Sequence, residues 1–445
     1  MSSTQFPPGP KFTLSLGLLG LFRSDPLRFF SQMAQYGDFT HTRLFGRHVY
    51  MANDPEVIRD VLVTNARKFR KGRGLQLARS LLGNGLLTSE GDFHKRQRRL
   101  VAPAFHHQKI AQYAQTMVAL THQTAQRWQA GQEVDIAREM SRLTLAVAGK
   151  TLFDADVEQE ADQIGAALND AMRLFLRTSS PFYPILKKLP LASNRRFAQA
   201  GERLDQTVYR MIAEHRRNPN HDDLLGMLLA QQDEEGGSGK MTDQQLRDEA
   251  MTIFLAGHET TAIATTWTWF LLSQHPEVED QLHAELRRVL DGRLPTFADI
   301  PSLPYTRRVL AEAMRLYPPA YVIGRETIEE YEVCGYTLPV GSTILMSQYV
   351  MHRNPRYFPD PERFDPQRWT PEAEAQRPKF AYFPFGGGPR VCIGELFAWT
   401  EGILVLATLA QAWQPRLLPG QTIGVRPLIT LRPKNGVWMR LEPLK

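Results

Sequence analysis

The sequence FPFGGGPRVCIGELFA spans residues 383–398 and contains one of only two cysteines in this 445-residue chain. Three glycines come before Cys392, and an apolar stretch with helical periodicity, residues 396–409, follows it. Glycines permit positive φ angles and let a flat group approach the backbone closely. Because a helix N-terminus favours the deprotonated form of a nearby thiol, the pattern is typical of a thiolate that binds a metal. The alternative is a buried thiol that packs as a small hydrophobic group.

Composition and charge restrict the class of protein. Hydrophobic residues make up 42% of the chain, which allows a large core, and the length alone would allow two domains. The formal net charge is +6, but the basic residues are dispersed, so we expect no nucleic-acid-binding surface. The low cysteine content and the absence of a secretion-signal pattern indicate a cytoplasmic protein. The most apolar N-terminal segment, residues 12–22, is too short to cross a bilayer, so we expect no transmembrane anchor.

Helical periodicity covers most of the chain. Thr242 and Gln245 form a capping-box pattern, which predicts the start of a helix that continues to Gln274. This helix is long and apolar on most sides, so we expect it to cross the interior of the protein. A second helix is predicted over residues 305–317, where two prolines end it.

Strand signals are few and lie in two regions. Residues 38–53 predict two short strands that flank Gly46, and residues 325–346 carry a similar pattern. The acidic, glycine-rich segment 233–239 is short, and we interpret it as a surface loop rather than a linker. We therefore expect a mainly α fold with small β-sheets, organised as a single domain over residues 1–445.

Five fixed residues around the cysteine carry a family resemblance. The residues are Phe385, Gly388, Arg390, Cys392 and Gly394, and their spacing resembles the haem-binding signature FxxGxRxCxG of the cytochrome P450 family. By this resemblance, the haem-ligand loop is residues 383–394, and Cys392 is the axial thiolate ligand of the iron in haem b. Phe385 is implied to pack beside the haem, Arg390 to pair with a propionate, and Gly394 to complete this cofactor-binding set. The implied architecture is the cytochrome P450 fold, with the long helix over the haem.

The middle of the long helix contains a second motif. Residues 256–261, AGHETT, resemble the oxygen-activation segment (A/G)Gx(D/E)T(T/S) of the same family. The resemblance implies that Thr260 hydrogen-bonds dioxygen and that Glu259 relays protons, so both are candidate catalytic residues. A glycine and hydroxyl groups in mid-helix favour a local distortion of the helical hydrogen bonds. The alternative is a small-residue packing site whose threonines hydrogen-bond back to the helix.

A charge network is implied near the cysteine loop. Glu312 and Arg315 are three residues apart, so they share one helical face, and they resemble the ExxR pair of the family. An exposed pair of this kind would stabilise a helix by only about 0.2–0.5 kcal/mol. The family adds an arginine from a downstream FxPxRF-like element, and residues 364–369 align with it. We therefore assign that role to Arg368, with Arg363 as the second choice, and the implied function of the network is structural.

Three more basic residues are candidate ligands of the haem propionates. The family commonly has Trp-x-x-x-Arg in an early helix, and here His94 occupies the tryptophan position and Arg98 the arginine position. An imidazole N–H can replace the indole donor, with a change in local packing and redox tuning. Arg325 occupies a position where the family often has another propionate-binding arginine. Taken alone, His94 would be interpreted as a surface histidine and Arg325 as a solvated or strand-edge arginine.

The resemblance implies a haem-thiolate monooxygenase. Such an enzyme takes two electrons from a partner protein and inserts one oxygen atom of O2 into a C–H bond of a lipophilic substrate. Because the sequence contains no flavin, nicotinamide or iron–sulfur fingerprint, we expect electrons to pass from NAD(P)H through a ferredoxin or flavodoxin and its reductase. These carriers are usually acidic, which suits a basic face on this chain.

The substrate class is inferred from the polarity of the expected pocket. By analogy with the family, the candidate pocket residues are Leu86, Leu87, Phe175, Ala256, Val322, Ile323 and Leu428. Apolar concave sites select lipophilic ligands, which predicts a bulky or long-chain lipid, a terpenoid or carotenoid, a steroid or a fatty acid. An acid would need an anchor at the mouth of the pocket, for which Arg43, Arg47, Arg73 and Tyr50 are candidates. For any single apolar residue, a place in the core is the alternative.

Three other functions are compatible with parts of this pattern. A peroxide-driven peroxygenase would be expected to lack the Glu259–Thr260 pair. A non-catalytic haem-thiolate protein that binds a gas or another ligand would share Cys392 but would need no proton relay. A helical scaffold without haem would need neither feature.

Overall fold

The structure is a computed structural model. It describes residues 6–10, 15–44, 46–157, 163–167, 170, 186, 189, 191–218, 222–230, 232–233 and 239–444. Phe175, one of the candidate pocket residues, lies outside the described residues, as does most of the predicted loop 233–239.

Helices make up most of the described chain. In chain order they are α1 (Ser15–Ser24), α2 (Pro26–Ala34), α3 (Pro55–Arg59), α4 (Arg73–Leu77), α5 (Arg79–Leu82), α6 (Gly91–Val101), α7 (His107–Arg127), α8 (Ile136–Phe153), α9 (Ala192–Arg217), α10 (Leu224–Ala230), α11 (Asp243–Leu272), α12 (Pro276–Leu290), α13 (Pro304–Leu316), α14 (Gln348–Met351), α15 (Pro371–Ala375) and α16 (Glu395–Ala410). A π-helical turn, Asp60–Thr64, continues α3.

The strands are short. In chain order they are β1 (Phe39–Leu44), β2 (Arg47–Ala52), β3 (Phe69–Lys71), β4 (Glu133–Asp135), β5 (Gln232–Asp233), β6 (Gly239–Lys240), β7 (Ile323–Thr327), β8 (Tyr331–Val333), β9 (Tyr336–Leu338), β10 (Thr343–Met346), β11 (Trp413–Leu417), β12 (Val425–Pro427), β13 (Leu431–Pro433) and β14 (Trp438–Pro443). The prediction of a mainly α fold with small sheets is therefore confirmed.

The chain groups into two compact units. The first comprises Met1–Leu77, Ala311–Cys392 and Ile429–Arg432. The second comprises Ala78–Leu310, Ile393–Leu428 and Pro433–Lys445. The expectation of a single domain stays a prediction.

A five-stranded sheet organises the first unit. Its strand order is β1-β2-β10-β7-β3, in which β2 and β10 run parallel and the other neighbours are antiparallel. The hairpin of β1 and β2 turns at Gly46, whose φ of 76° belongs to the region that glycine tolerates best, as the sequence predicted. Tyr50, Ile344 and Met346 from this sheet are fully buried in the core of the unit.

The long helix α11 is the central element of the second unit. Thr242 and Gln245 form the predicted capping box, in which each side chain accepts from the other residue's backbone N–H. The helix packs against α8, α9 and α16, and Trp267 and Trp269 near its C-terminal end are almost completely buried. Helix α11 is therefore interior along most of its length, as expected. None of the helices within the described ranges is both long and apolar enough to span a membrane.

Candidate active site

The cysteine loop, residues 383–394, is held by its own backbone. The N–H of Cys392 donates to the carbonyl of Phe385 at 3.0 Å, and the N–H of Gly386 donates to the carbonyl of Phe383 at 2.9 Å. Cys392 is exposed, and it lies three residues before the first residue of α16. The alternative of a buried, packed thiol is therefore wrong, because this cysteine is exposed.

Close packing explains why the loop contains glycine. A Cβ atom on Gly388 would lie 1.9 Å from the carbonyl oxygen of Leu62, in the π-helical turn, and Gly388 also has a φ of 65°. Neither the contact nor the dihedral angle tolerates a side chain. A Cβ atom on Gly386 would lie 3.3 Å from Cδ1 of Ile323, so this candidate pocket residue contacts the cysteine loop.

The ExxR pair is completely buried in the first unit. Arg315 and Glu312 have no exposed side-chain surface, and Arg315 Nε and Nη2 donate to the two carboxylate oxygens of Glu312 at 2.8 Å each. The guanidinium also donates to backbone carbonyls, those of His352 at 2.9 Å and of Pro361 at 2.7 Å. A buried charge requires partners of this kind, so the pair cannot be the exposed, marginal pair considered above.

Of the two downstream arginines, Arg363 and Arg368, it is Arg368 that lies closer to the buried carboxylate of Glu312. Its Nε is 3.3 Å from Glu312 Oε1, and the indole N–H of Trp369 donates to Glu312 Oε2 at 2.9 Å. Arg363 contributes only its backbone carbonyl, which accepts from Arg315 Nη2 at 3.1 Å. The geometry therefore places Arg368, and not Arg363, at the carboxylate of the pair.

His352 connects this network to the cysteine loop, and sequence reasoning did not identify it. The ring is fully buried, and its Nε2 accepts from the N–H of Phe383, the first residue of the loop, at 3.0 Å. Burial, together with the charges of Arg315 and Arg353, lowers the pKa of His352 well below its usual value. The ring is therefore neutral at physiological pH, which leaves Nε2 free to act as an acceptor. A single histidine among charged residues carries no sequence signal for this role.

The oxygen-activation motif lies on an uninterrupted part of α11. The helix is α-helical from Asp243 to Leu272, so the expected local distortion does not break it. The hydroxyl of Thr260 instead donates to the carbonyl of Ala256 at 2.8 Å, as the alternative interpretation predicted. Ala256 is exposed and Thr260 is half-buried, whereas Glu259 is only 7% exposed. Ala256 and Thr260 thus lie on one accessible face of a mostly buried helix.

Glu401 is a second residue that sequence reasoning missed. It lies on α16 and has no exposed surface. Desolvation raises the pKa of its carboxyl to about 8, and the nearby Thr261 hydroxyl partly opposes this effect. A glutamate inside the apolar stretch 396–409 is a signal that could have identified it, since charged residues are rarely fully buried. At neutral pH this carboxyl is mostly protonated, beside the oxygen-activation motif.

We expect the substitution Glu401→Gln to make stability less dependent on pH. The pKa is raised from 4.5 to about 8 on folding, so between these values the folded state keeps a proton that the unfolded state loses. The free energy of unfolding of the wild type should therefore fall as pH rises through this range, by up to about 1.4 kcal/mol per pH unit. The variant lacks this contribution, so its stability relative to the wild type should increase from pH 5 to pH 8 in urea titrations.

Glu372→Gln is the control for this measurement, because Glu372 is exposed on α15. It should change stability by less than about 0.5 kcal/mol at every pH. A constant stability difference between Glu401→Gln and the wild type from pH 5 to pH 8 would show that Glu401 is ionised in the folded protein.

The candidate propionate ligands differ in burial. His94 on α6 is only 4% exposed, which contradicts its interpretation as a surface histidine. Arg98, one turn later on the same helix, and Arg390 in the cysteine loop are half-buried. Arg325 on β7 is 8% exposed and is not a solvated strand-edge residue. Arg325 Nη1 donates to the carbonyl of Gly324 at 3.1 Å, which is one of the partners that a buried cationic group requires.

The candidate pocket residues are distributed over both units. Leu86 and Leu428 are 8% and 9% exposed, whereas Leu87 is 36% exposed. Val322 and Ile323, at the start of β7, are half-buried. Of the candidate acid anchors, Arg43, Arg47 and Arg73 are exposed, but Tyr50 belongs to the sheet core and cannot anchor a substrate at a surface opening.

The residues of the cysteine loop fit a haem-thiolate site. An exposed thiol can supply, once deprotonated, the soft anionic ligand that such an iron site requires, and glycines provide a backbone that a flat group can approach. The loop backbone is held by Phe385 and by the neighbouring His352. Cys392 is the residue that would hold the iron, and Arg390 is the loop residue that would bind a propionate.

Comparisons with known proteins show the family to which the chain belongs. The family profile described as Cytochrome P450 matches residues 7–438. The chain is 44% identical to cyclooctatin synthase of Streptomyces melanosporofaciens over 92% of this chain and 90% of the relative. It is 37% identical to pentalenene oxygenase of Streptomyces avermitilis over 94% of this chain and 92% of the relative. It also matches the solved structure of retinoic acid-bound cyanobacterial CYP120A1, with a TM-score of 0.87, 28% identity and coverage of 100% of each chain. The chain therefore belongs to the cytochrome P450 family and is a cytochrome P450 monooxygenase.

Proposed function

We propose that this enzyme inserts one oxygen atom of O2 into a C–H bond of a terpenoid. The observation that carries the proposal is the identity, 37–44% over more than nine-tenths of the chain, with relatives named for cyclooctatin and pentalenene. Cyclooctatin, pentalenene and retinoic acid, the ligand of the solved relative, are all isoprenoid compounds. The apolar candidate pocket residues support a lipophilic substrate of this class.

Haem b, when bound, would supply the oxygen-activating chemistry, with electron density donated by the Cys392 thiolate. The overall reaction consumes O2, two electrons, two protons and the substrate, and it yields the alcohol and water. The chain contributes the thiolate ligand and the cationic side chains of Arg98, Arg325 and Arg390, together with His94, as candidate propionate partners. Phe385 and Gly394 complete the candidate cofactor-binding set.

Thr260 and Glu259 are the proposed proton-handling residues. The Thr260 hydroxyl has one proton, which it donates to the Ala256 carbonyl in the structure, so only its lone pairs can contact a ligand in that state. Rotation of the Thr260 hydroxyl would direct its proton to dioxygen. The Ala256 carbonyl would then keep only its hydrogen bond within the helix. Glu259, the preceding residue, is buried and would deliver the replacement proton.

The electrons are proposed to come from NAD(P)H through a ferredoxin or flavodoxin and its reductase. The proposed partner is acidic, because the chain is basic overall, with a formal net charge of +6. Glu312, Arg315 and Arg368 are proposed to act only on the structure, since the pair has no exposed surface.

The test combines substrate titration with turnover. Cyclic terpene hydrocarbons are titrated into the haem-loaded enzyme while the spin state is followed by absorption, and those that bind are incubated with NAD(P)H, ferredoxin and reductase. We expect a hydroxylated terpenoid by mass spectrometry. The matched variant Thr260→Ala should bind the same substrate but divert most electrons to hydrogen peroxide.

Three outcomes would contradict the proposal. Turnover with peroxide and none with the electron carriers would indicate a peroxygenase. Gas binding without any spin-state shift across lipid and terpenoid libraries would indicate a non-catalytic haem protein. Oxidation of fatty acids and of no terpenoid would reject the substrate class alone.

A further inference from the structure

Three consecutive residues of α11 hold a distant segment of the chain, residues 81–88. Arg247 Nη2 donates to the carbonyl of Leu81 at 3.0 Å. Asp248 Oδ2 accepts from the N–H of Asn84 at 2.7 Å, and Glu249 Oε2 accepts from the N–H of Leu86 at 2.9 Å. These hydrogen bonds join residues more than 160 positions apart in sequence. We call residues 81–88 the clamped segment.

The side chains of Arg247, Asp248 and Glu249, which we call the clamp, are buried, and Asp248 is held in place by its neighbours on α11. Glu249 has no exposed surface, and Arg247 and Asp248 are 7% and 6% exposed. Asp248 Oδ1 accepts from Arg247 Nη1 at 3.1 Å and from Gln244 Nε2 at 2.7 Å, which leaves Oδ2 to receive Asn84. Buried hydrogen bonds to charged acceptors contribute more to the free energy of unfolding than hydrogen bonds between neutral groups.

Two glycines bring the clamped segment into direct contact with the helix. A Cβ atom on Gly83 would lie 2.0 Å from Asp248 Oδ1, and Gly83 has a φ of 67°. A Cβ atom on Gly85 would lie 2.3 Å from the hydroxyl of Thr252 and 2.4 Å from the carbonyl of Asp248. Any other residue at either position would displace the segment from the helix.

The contact lies next to the oxygen-activation motif. Thr252 precedes the exposed residue Ala256 by four positions and Thr260 by eight, so the three follow one side of α11 at steps of about 6 Å. Leu87, the residue after the clamped Leu86, is 36% exposed. The clamp therefore holds the backbone of Leu86, and with it Leu87, against the turn of α11 that precedes Ala256.

We infer that Glu249, supported by Asp248, is a specificity-determining positioning residue: it fixes Leu86 and Leu87 as one wall beside Ala256 and so selects which carbon of a bulky lipophilic substrate is oxidised. This inference rests on the proposed function for its substrate. The carboxylate itself acts only through the backbone N–H of Leu86 and contacts no reacting atom.

The test compares Glu249→Leu with Glu249→Gln. Leucine has a similar volume but no acceptor, whereas the glutamine side-chain oxygen can still accept from Leu86, so the conservative variant should restore wild-type behaviour. In Glu249→Leu, we expect amide hydrogen exchange of residues 84–88 to accelerate by about tenfold or more. The ratio of terpenoid products oxidised at different carbons should change in the same variant, with an unchanged thiolate-type absorption of the reduced carbon monoxide complex.

A probe that needs no substrate separates this inference from the proposed function. Imidazole and phenylimidazole both bind haem iron, and the ratio of their dissociation constants reports the space beside it. We expect this ratio to change by about tenfold in Glu249→Leu and by less than about twofold in Glu249→Gln. If no terpenoid is oxidised even by the wild type, the proposed function fails, and the imidazole ratio still decides the inference.

Glu285→Leu is the matched control. Glu285 is another buried carboxylate, 6% exposed, that accepts from the N–H groups of Tyr305 and Thr306 at the start of α13. The variant Glu285→Leu should destabilise the protein about as much as Glu249→Leu does. It should leave the ratio of the imidazole and phenylimidazole dissociation constants unchanged. The inference is overturned if Glu249→Leu accelerates exchange in residues 84–88 without a change in the imidazole ratio, if exchange there stays at the wild-type rate, or if both glutamate-to-leucine variants change the ratio equally.

Discussion

Replacement of Cys392 with alanine is expected to abolish both the thiolate-type absorption of the reduced carbon monoxide complex and all monooxygenase activity. Cys392 is the exposed thiol of the glycine loop, and its backbone N–H is bonded to Phe385. Alanine preserves this backbone hydrogen bond and removes only the sulfur. Without the thiolate, no ligand donates the electron density that favours O–O cleavage. Absorption spectra of the haem-loaded, reduced variant under carbon monoxide provide the measurement.

Cys334→Ala is the matched control for this substitution. Cys334 is the other cysteine, and it is also exposed, in the turn between β8 and β9. Its removal should leave the absorption and the turnover at wild-type levels. Persistence of thiolate-type absorption in Cys392→Ala, or its loss in Cys334→Ala, would refute the assignment of the iron ligand.

The substitution Glu312→Gln is expected to have the largest effect on stability. It removes the charge of the carboxylate and leaves the Arg315 guanidinium buried, with no exposed surface, beside a neutral amide. Breaking a buried ion pair from one side costs about 3–5 kcal/mol, because the remaining charge has lost its compensation. The free energy of unfolding from urea titration measures this cost. Arg315 also bonds to the carbonyl of His352, so haem content should fall as the cysteine loop loosens.

Glu362→Gln provides the comparison for an exposed pair. Glu362 Oε1 lies 3.0 Å from Arg353 Nε, but the Glu362 side chain is 70% exposed. Solvent screens such a pair, so we expect Glu362→Gln to lower the free energy of unfolding by less than about 1 kcal/mol. Equal losses in Glu312→Gln and Glu362→Gln would contradict the conclusion that the Glu312–Arg315 pair is a buried structural centre.

Local features were predicted well from the sequence. The capping box of Thr242 and Gln245 involves residues three positions apart, so its hydrogen bonds form within one turn of α11. The hairpin around Gly46 depends on one glycine with positive φ and on strand neighbours a few residues away. The signature around Cys392 lies within ten residues, and the family match bears out the fold and the reaction that it implied.

Local sequence left one position open. Glycine and hydroxyl residues in mid-helix favoured a local distortion of α11, and in the structure the Thr260 hydroxyl donates to the Ala256 carbonyl within a continuous helix. The competing interpretation, a side chain that bonds back to its own helix, has the same sequence signature. The distinction depends on the rotamer of one side chain, which composition and spacing do not specify.

The sequence by itself determined the fold class and the family, and it nominated Cys392 as the ligand thiol, because each of these depends on periodicity or on residues within a few turns of one another. Only the tertiary structure decided why Gly388 must be glycine, since the carbonyl of Leu62 that excludes a Cβ atom comes from 326 positions earlier in the chain. The same holds for the neutral state of His352, the raised pKa of Glu401 and the clamp between Glu249 and Leu86. Desolvation and contacts between distant segments arise only when the chain is packed, so a local pattern can at most mark a residue such as Glu401 and does not give its pKa or its partners.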